Sequence, residues 1–401
     1  IEGRYPNIIM LQLESFFDPT LWRNNPVQGD PIPIFHFLER SFPSGYLSVP
    51  SVGAGTANTE FECISAMNLD FFGPGEYPYK TILQKTACES MAFDMKNLGY
   101  KAHAVHNNEA TFYDRHKVFA QLGFDTFTPI EYMYDIERNP TGWCKDKVLV
   151  GEIEKVLDSS IGSDFVYTIS VQGHGKYPSF EYYCEQIHEM DEFVGQLINM
   201  LNTRMEPTVL VLYGDHLPGF EWTAEEMENG SLFQTKYVVW NNLNLPAIKR
   251  DVESYQLAAH ILNMLDIHEG TMIRFHQRHL DAHDTDTQEY LDAMKILQYD
   301  ILYGDHEVYG GESPYQATQL EFGVTPIIQG TTVHNTDQVI VLGGPFNSWS
   351  KICVNGKAAD TQYYSKTRLI AKGVEPKEKE EITVQQVGRD KIHLGTARKK
   401  Q

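Results

Sequence analysis

Five short runs constrain this chain most: Ile8–Leu13, Ala102–His106, Phe165–Val171, Val209–Tyr213 and Tyr237–Trp240. Most are nearly continuous in apolar residues. A strand with one wet face would show a polar residue at every second position, so these strands must be covered on both faces. Helical spacing fills the stretches between them. Leu83, Ala87, Met91, Met95 and Leu98 recur at that spacing, with Gly99 as a C-cap. Val118, Phe119 and Leu122 end in the same way at Gly123, and Glu185–Leu201 and Val252–Leu265 are longer amphipathic segments. Such alternation up to about residue 310 predicts an α/β domain built on a mostly parallel sheet flanked by helices.

From roughly Gly323 onward no helix pattern remains. Short β-rich pieces (Gln338–Leu342, Lys351–Val354, Thr367–Ala371, Glu381–Gln385, Lys391–Leu394) are separated by turn signals such as Gly343-Gly344-Pro345, Asn355-Gly356 and Gly388. This spacing predicts a small all-β sandwich, and Asn355-Gly356 marks a hairpin. A length of 401 residues exceeds what one core usually supports. The expected division is residues 1–310 and 311–401, with 305–322 as the connection. Lys377–Glu381 reads as a solvated turn.

Charge narrows the function. With 54 acidic and 33 basic side chains the formal charge is −21, which argues against nucleic acid as the main ligand. Hydrophobic residues at 42% and aromatics at 12% supply a core and exclude a disordered chain. No run of 18 apolar residues occurs, so no membrane-spanning helix is expected within the chain. The chain starts at Ile1, with a strand almost at once, and is expected to be a piece of a longer precursor. Its cysteines, Cys63, Cys88, Cys144, Cys184 and Cys353, show no pairing or zinc spacing.

Four places put polar groups just past a strand, where a parallel sheet places its active site. Glu14 ends the first strand in Leu13-Glu14-Ser15-Phe16. In Ser51-Val-Gly-Ala-Gly-Thr56-Ala-Asn-Thr59-Glu60-Phe, two glycines precede a helix pattern, placing Thr56 at or near its N-cap, a setting that favours anions. No Gly-Lys-Ser/Thr follows, so this is not a nucleotide-binding P-loop. Asp215 and His216 follow Val209–Leu212 in Tyr213-Gly214-Asp215-His216, a good half-site for a hard metal. His174 lies between glycines in Val171-Gln-Gly-His174-Gly-Lys-Tyr-Pro178. Each also has an ordinary structural reading: a capping carboxylate, a threonine cap, a turn aspartate, a satisfied histidine.

Together these parts fit one reaction. A neutral threonine hydroxyl is a poor nucleophile, and a divalent cation on its oxygen favours the alkoxide. Glu14, Asp215, His216 and Thr56 would offer mixed oxygen and nitrogen ligation, which suits Mn²⁺ or Mg²⁺ better than a soft metal.

The ordered motifs Leu-Glu-Ser-Phe, Gly-x-Gly-Thr-x-x-x-Glu-Phe, Phe-Tyr-Asp-Arg, His-Gly-x-Tyr-Pro and Tyr-Gly-Asp-His resemble the extracellular catalytic domain of lipoteichoic acid synthases. These belong to the sulfatase branch of the alkaline phosphatase superfamily. The resemblance spans about residues 5–300. It implies a sulfatase-like fold and a single-metal set of Glu14, Thr56, Asp215 and His216, with Mn²⁺ ahead of Mg²⁺. It implies Thr56 as nucleophile and His174 as the acid for the leaving alkoxide. Thr111-Phe112-Tyr113-Asp114-Arg115 is similar to the family's Thr-Phe-Trp-Asn-Arg. Arg115 would therefore clamp a phosphate oxygen, Tyr113 would pack on the glycerol, and His106 would contact substrate. The implied activity is phosphoglycerol transfer from a phospholipid donor, phosphatidylglycerol, to a glycan or polyol-phosphate acceptor. The implied setting is a monomeric ectodomain of a multi-pass protein on the extracellular face of a bacterial membrane. Gly344-Pro-Phe-Asn-Ser-Trp-Ser-Lys-Ile-Cys-Val-Asn-Gly-Lys, with Thr367-Arg-Leu-Ile-Ala, resembles immunoglobulin-like modules of surface proteins.

Other activities fit these residues less well. Sulfate ester hydrolysis needs Cys or Ser in C/S-x-P-x-R, and Ser41-Phe-Pro43-Ser-Gly45 lacks the arginine. A two-metal phosphatase needs further ligands; Asp191 and the histidines near 260–283 show no motif. Phosphoethanolamine transferases use a threonine but are usually richer in cysteine. A phosphodiesterase would pass the intermediate to water, and a non-catalytic surface protein would bind glycans without turnover.

Overall fold

The computed structural model describes residues 3–374 and 380–401. The expected turn at Lys377–Glu381 falls largely outside them. Nine strands form the main sheet: β1 (Asn7–Leu13), β2 (Ser44–Ser48), β3 (Lys101–His106), β4 (Thr126–Thr128), β5 (Asp164–Ile169), β6 (Thr208–Gly214), β7 (Gln234–Asn241), β8 (Val252–Glu253) and β9 (Glu321–Phe322). Their order is β8-β2-β7-β6-β1-β5-β3-β4-β9. Only β7 runs antiparallel to its neighbours, so the sheet is mostly parallel.

β1 is central and fully buried, and its alternate side chains enter two different cores. Ile8 and Met10 join Phe61, Val118 and Leu257 on one face, under the helices α2 (Thr56–Ser65), α3 (Met91–Asn97), α4 (Arg115–Gln121), α7 (Ser254–Met264), α8 (Thr271–Ala282) and α9 (Gln288–Leu302). Ile9, Leu11 and Leu13 join Phe35, Leu149 and Tyr183 on the other, under α1 (Pro33–Ser41), α5 (Val148–Asp158) and α6 (Phe180–Arg204). Burial of each such side chain contributes about 1.5–3 kcal/mol, which is why the apolar runs are nearly unbroken.

The helix is shorter than the spacing from Leu83 predicts. Only Met91–Asn97 is α-helical; Ile82–Gln84 is a separate 3-10 turn, and Ser90 caps α3 through Ala92 N and Phe93 N. A buried serine cap outweighs apolar spacing further upstream. Val252 and Glu253 are strand rather than helix, because Val252 pairs with Leu47. Within 305–322, Glu307–Tyr309 forms a 3-10 turn and β9 adds an edge strand beside β4.

Beyond β9 the strands among the described residues fall into two further sheets. β10 (Ile328–His334), β11 (Gln338–Gly344), β12 (Ser350–Val354), β13 (Lys357–Ala358), β14 (Thr361–Ser365), β15 (Arg368–Lys372), β16 (Ile382–Val387), β17 (His393–Thr396) and β18 (Arg398–Lys399) divide as β14-β15-β11-β10-β18 and β13-β12-β16-β17. Asn355-Gly356 is the two-residue loop between β12 and β13, with φ of 50° and 79° as a type I′ hairpin needs. Asn347 ties this region to the main sheet's side by donating to Glu131 O (2.9 Å) and Met133 O (3.1 Å). No helix among the described residues is long and apolar enough to cross a membrane.

Candidate active site

The register of the sheet brings the site together. Leu13 lies level with Gly214 across β1 and β6, and Gln12 with Ile169 across β1 and β5. The residues that follow, Glu14, Ser170 and Asp215, therefore emerge together at the carboxyl edge. Two glycines make room for this: a Cβ on Gly214 would meet Phe16 O at 1.9 Å, and one on Gly173 would meet Glu14 O at 2.1 Å. Ser15 turns the chain with φ of 51°. Its N–H donates to Asp215 Oδ1 (2.8 Å), and Tyr183 Oη holds its carbonyl.

Thr56 is the first residue of α2, behind Gly55 in the left-handed region. Gln12 Nε2 braces it through Thr56 O (3.1 Å). Thr56 Oγ1 donates to Glu14 Oε2 at 2.8 Å. Glu14, Asp215 and His216 present ligand atoms that lie within 4.8 Å of one another, all buried. His216 Nδ1 donates to Leu217 O (2.8 Å), which leaves the Nε2 lone pair facing the two carboxylates at 3.4 Å and 3.9 Å. Asp215 Oδ2 and His216 Nε2 are buried without a hydrogen-bond partner among the described residues. Burial pushes the Glu14 carboxyl above its usual range. Burial, then the adjoining Glu14 charge, pushes Asp215 well above its own. Two crowded carboxylates, an imidazole lone pair and a hydroxyl oxygen make a donor set that fits one divalent cation.

His174 follows Gly173, whose backbone packs against Glu14 O. Asp146 Oδ1 accepts from Asn107 Nδ2 (2.9 Å), Val171 N (3.1 Å) and Gln172 N (3.2 Å). Burial raises the Asp146 carboxyl to about 6. Trp143 stacks on the His174 ring at 4.4 Å. His174 Nδ1 bonds Gly175 O (2.7 Å), so Nε2 is the atom open to a proton. His106 Nδ1 donates to Ile169 O (2.7 Å), and its Nε2 is buried with no partner among the described residues. Burial, followed by the Arg115 charge, holds His106 well below the usual histidine range; the neutral ring offers a lone pair to a hydroxyl.

Arg115 is fully buried. Nε and Nη2 are committed to Glu60, while Nη1 makes only a 3.5 Å contact with Phe112 O. Tyr113 is half-buried, its ring 5.2 Å from the Arg115 guanidinium. The motifs give no role to Asp146 or Trp143, and none to Glu60 although it is the glutamate of Gly-x-Gly-Thr-x-x-x-Glu-Phe. Glu60 carried a usable signal: it follows Thr56 by four residues on α2, hence on the same face.

Other candidates fall elsewhere. Asp191 accepts from Ile34 N and Phe35 N at the start of α1, and His260 and His276 are buried within α7 and α8. A second cluster, Asp18, His36 and Glu39, already holds the Lys236 ammonium at 2.9 Å and 3.0 Å.

Residues 6–267 match the family model described as Sulfatase. A putative cyclic beta-1,2-glucan modification protein of Rhizobium meliloti is 27% identical over 293 residues, 63% of this chain and 45% of that protein. Lipoteichoic acid synthase of Staphylococcus saprophyticus is 25% identical over 238 residues, 52% of this chain and 35% of that protein. The chain thus spans under half the length of either relative. Among solved structures, Streptococcus pyogenes phosphoglycerol transferase GacH in complex with sn-glycerol-1-phosphate has a TM-score of 0.68 at 21% identity, covering 78% of this chain and 90% of that one. A Vibrio parahaemolyticus protein in the alkaline phosphatase superfamily has a TM-score of 0.56 at 12% identity, covering 98% of this chain and 82% of that one. The fold is that of the alkaline phosphatase superfamily.

Proposed function

The chain belongs to the sulfatase family, and from that premise we propose that it transfers glycerol phosphate from a phospholipid donor, phosphatidylglycerol, to a hydroxyl of a glycan or teichoic-acid-type acceptor. The observation that carries this reading is the convergence of Thr56 Oγ1 with Glu14, Asp215 and His216. The named activities of GacH and of the lipoteichoic acid synthase support phosphoglycerol as the group moved. The glucan modification protein supports a glycan acceptor.

Glu14, Thr56, Asp215 and His216 would hold one divalent cation, Mn²⁺ ahead of Mg²⁺, and bound there it would supply Lewis-acid activation of the hydroxyl and charge for the phosphoryl group. Thr56 Oγ1 is already aimed with its proton toward Glu14 Oε2. Its oxygen bonds to phosphorus as the bond to the diacylglycerol oxygen breaks, and His174 Nε2 delivers a proton to that oxygen. The acceptor hydroxyl then displaces Thr56, returning one proton to His174 while Thr56 recovers its own. His106 Nε2 accepts from a glycerol hydroxyl. Arg115, anchored by Glu60, contributes positive charge beside the phosphate. The setting that fits a lipid donor is the outer face of a bacterial membrane.

Intact-mass analysis with phosphatidylglycerol and Mn²⁺ tests this. The wild-type protein should gain about 154 Da, glycerophosphate less water, under covalent catalysis, and Thr56→Ala should gain nothing. Turnover by Thr56→Ala at the wild-type rate would refute the mechanism. Release of free glycerol phosphate alone, whatever acceptor is present, would make the protein a phosphodiesterase.

A further inference from the structure

An open groove of about 600 Å³ runs beside the start of α2. Gly55 and Ala57, the two neighbours of Thr56, form part of its wall. The rings of Tyr77, Tyr113 and Phe233 line it together with Ser51, Asn58 and Lys80. Tyr77 and Phe233 are 49% and 51% exposed, large apolar surface in a groove whose wall includes both neighbours of Thr56. Tyr113 links the groove to the reacting centre. Its backbone and that of Asp114 are both left-handed, with φ of 55° and 54°, a strained arrangement of the kind held at functional sites. Its ring meets Phe112 at 4.7 Å, and Phe112 in turn lies 6.4 Å from His174.

We infer that this groove seats the acceptor and that the acceptor is a neutral glycan; the inference rests on the transfer reading above and names its second substrate. Ring faces with hydroxyl and amide groups between them match a sugar, which has apolar faces and a polar rim. Asn58 uses one N–H on Ser51 Oγ (3.1 Å), and its carbonyl oxygen bonds nothing else among the described residues. Acyl chains in the same place would strip water from Ser51, Asn58 and Lys80 without replacing it. A polyglycerol phosphate acceptor would bring repeated negative charge to a chain of net charge −21, with Lys80 as the one charged side chain of the groove lining.

Phe233→Ala and Tyr77→Ala test the groove with little risk to folding, since both rings are half exposed. The probes are a neutral β-linked gluco-oligosaccharide and a glycerol phosphate oligomer, each titrated calorimetrically into the Mn²⁺-loaded 401-residue chain. The oligosaccharide should bind, and each variant should weaken it roughly fivefold to tenfold, the worth of one stacked ring. The glycerol phosphate oligomer should not bind. In turnover with a phosphatidylglycerol analogue, the variants should raise the acceptor KM and leave the donor KM in place. Unchanged oligosaccharide affinity, binding of the anionic oligomer in the groove, or a raised donor KM would each overturn the inference. Ring-dependent oligosaccharide binding without any phosphoglycerol transfer would keep the groove and remove the transferase reading instead.

Discussion

Arg115 and Glu60 form an ion pair with no solvent exposure on either side chain, Nη2 to Oε2 at 2.8 Å and Nε to Oε1 at 3.1 Å. Tyr79 Oη adds a third donor to the same carboxylate at 2.9 Å. The pair joins α2, which carries Thr56, to α4 and so fixes a positive charge behind the nucleophile. Glu60→Ala leaves the guanidinium buried and unpaired, which should cost about 3–5 kcal/mol of stability. Urea unfolding measures it, and a loss under about 1 kcal/mol would mean that water reaches Arg115.

His174→Gln should slow transfer from phosphatidylglycerol by roughly 10²- to 10⁴-fold, the usual worth of a general acid. Diacylglycerol leaves as a strongly basic alkoxide, so it needs the proton. A nitrophenyl ester of glycerol phosphate does not. The variant should therefore cleave the nitrophenyl ester at nearly the wild-type rate. An equal loss on both substrates would assign His174 to positioning rather than to proton transfer.

Mn²⁺ should raise the melting temperature, because the buried Asp215 Oδ2 and His216 Nε2 gain a partner only in the folded state. At a hundredfold excess over Kd the stabilisation is about 2.7 kcal/mol, read as a shift of a few degrees by calorimetry. Asp215→Asn should abolish the shift. A shift that survives in this variant would place the ion elsewhere.

The sheet was legible because its strands are double-sided: with β1 feeding two cores, every residue from Ile8 to Leu13 except Gln12 is apolar. Gln12 breaks the run, and it is the residue that braces Thr56. The metal-ligand candidates were legible for a related reason. A polar residue directly after such a strand is left at the carboxyl edge by topology alone. What stayed hidden depends on pairing between distant segments. Glu89 gathers Thr271, Tyr309 and Tyr315 from far along the chain, and no local pattern announces that. β10 was missed because its alternating face is only partly buried and reads as polar. The pairing of Arg115 with Glu60 stayed hidden because a motif gives identities, whereas the commitment of Nε and Nη2 to that carboxylate is a tertiary fact.

The Asp18–His36 contact gives the fold a pH signature separate from the reacting centre. His36 Nε2 meets Asp18 Oδ2 at 2.8 Å and its Nδ1 meets Asp30 Oδ2 at 2.7 Å. Burial by itself would lower the imidazole, but the hydrogen bonds to Asp18 and Asp30 outweigh it and raise His36 from 6.5 to about 9. Burial would likewise raise Asp18, and the bond to His36 with the Lys236 charge instead holds it well below the carboxylate range. The folded state binds the His36 proton more tightly than the unfolded chain does. Its contribution is therefore complete below pH 6.5 and fades as the pH rises through about 9. Asp18 acts in the opposite sense: its contribution is present above its unfolded value of 3.8 and is lost as the pH falls toward its depressed folded value. Stability should thus form a plateau bounded by an acid limb from Asp18 and an alkaline limb from His36. Urea midpoints across that range should show the alkaline limb in the wild type and a flattened one in His36→Gln. Identical slopes between pH 6.5 and 9 in the two proteins would show that His36 carries no proton in the folded state.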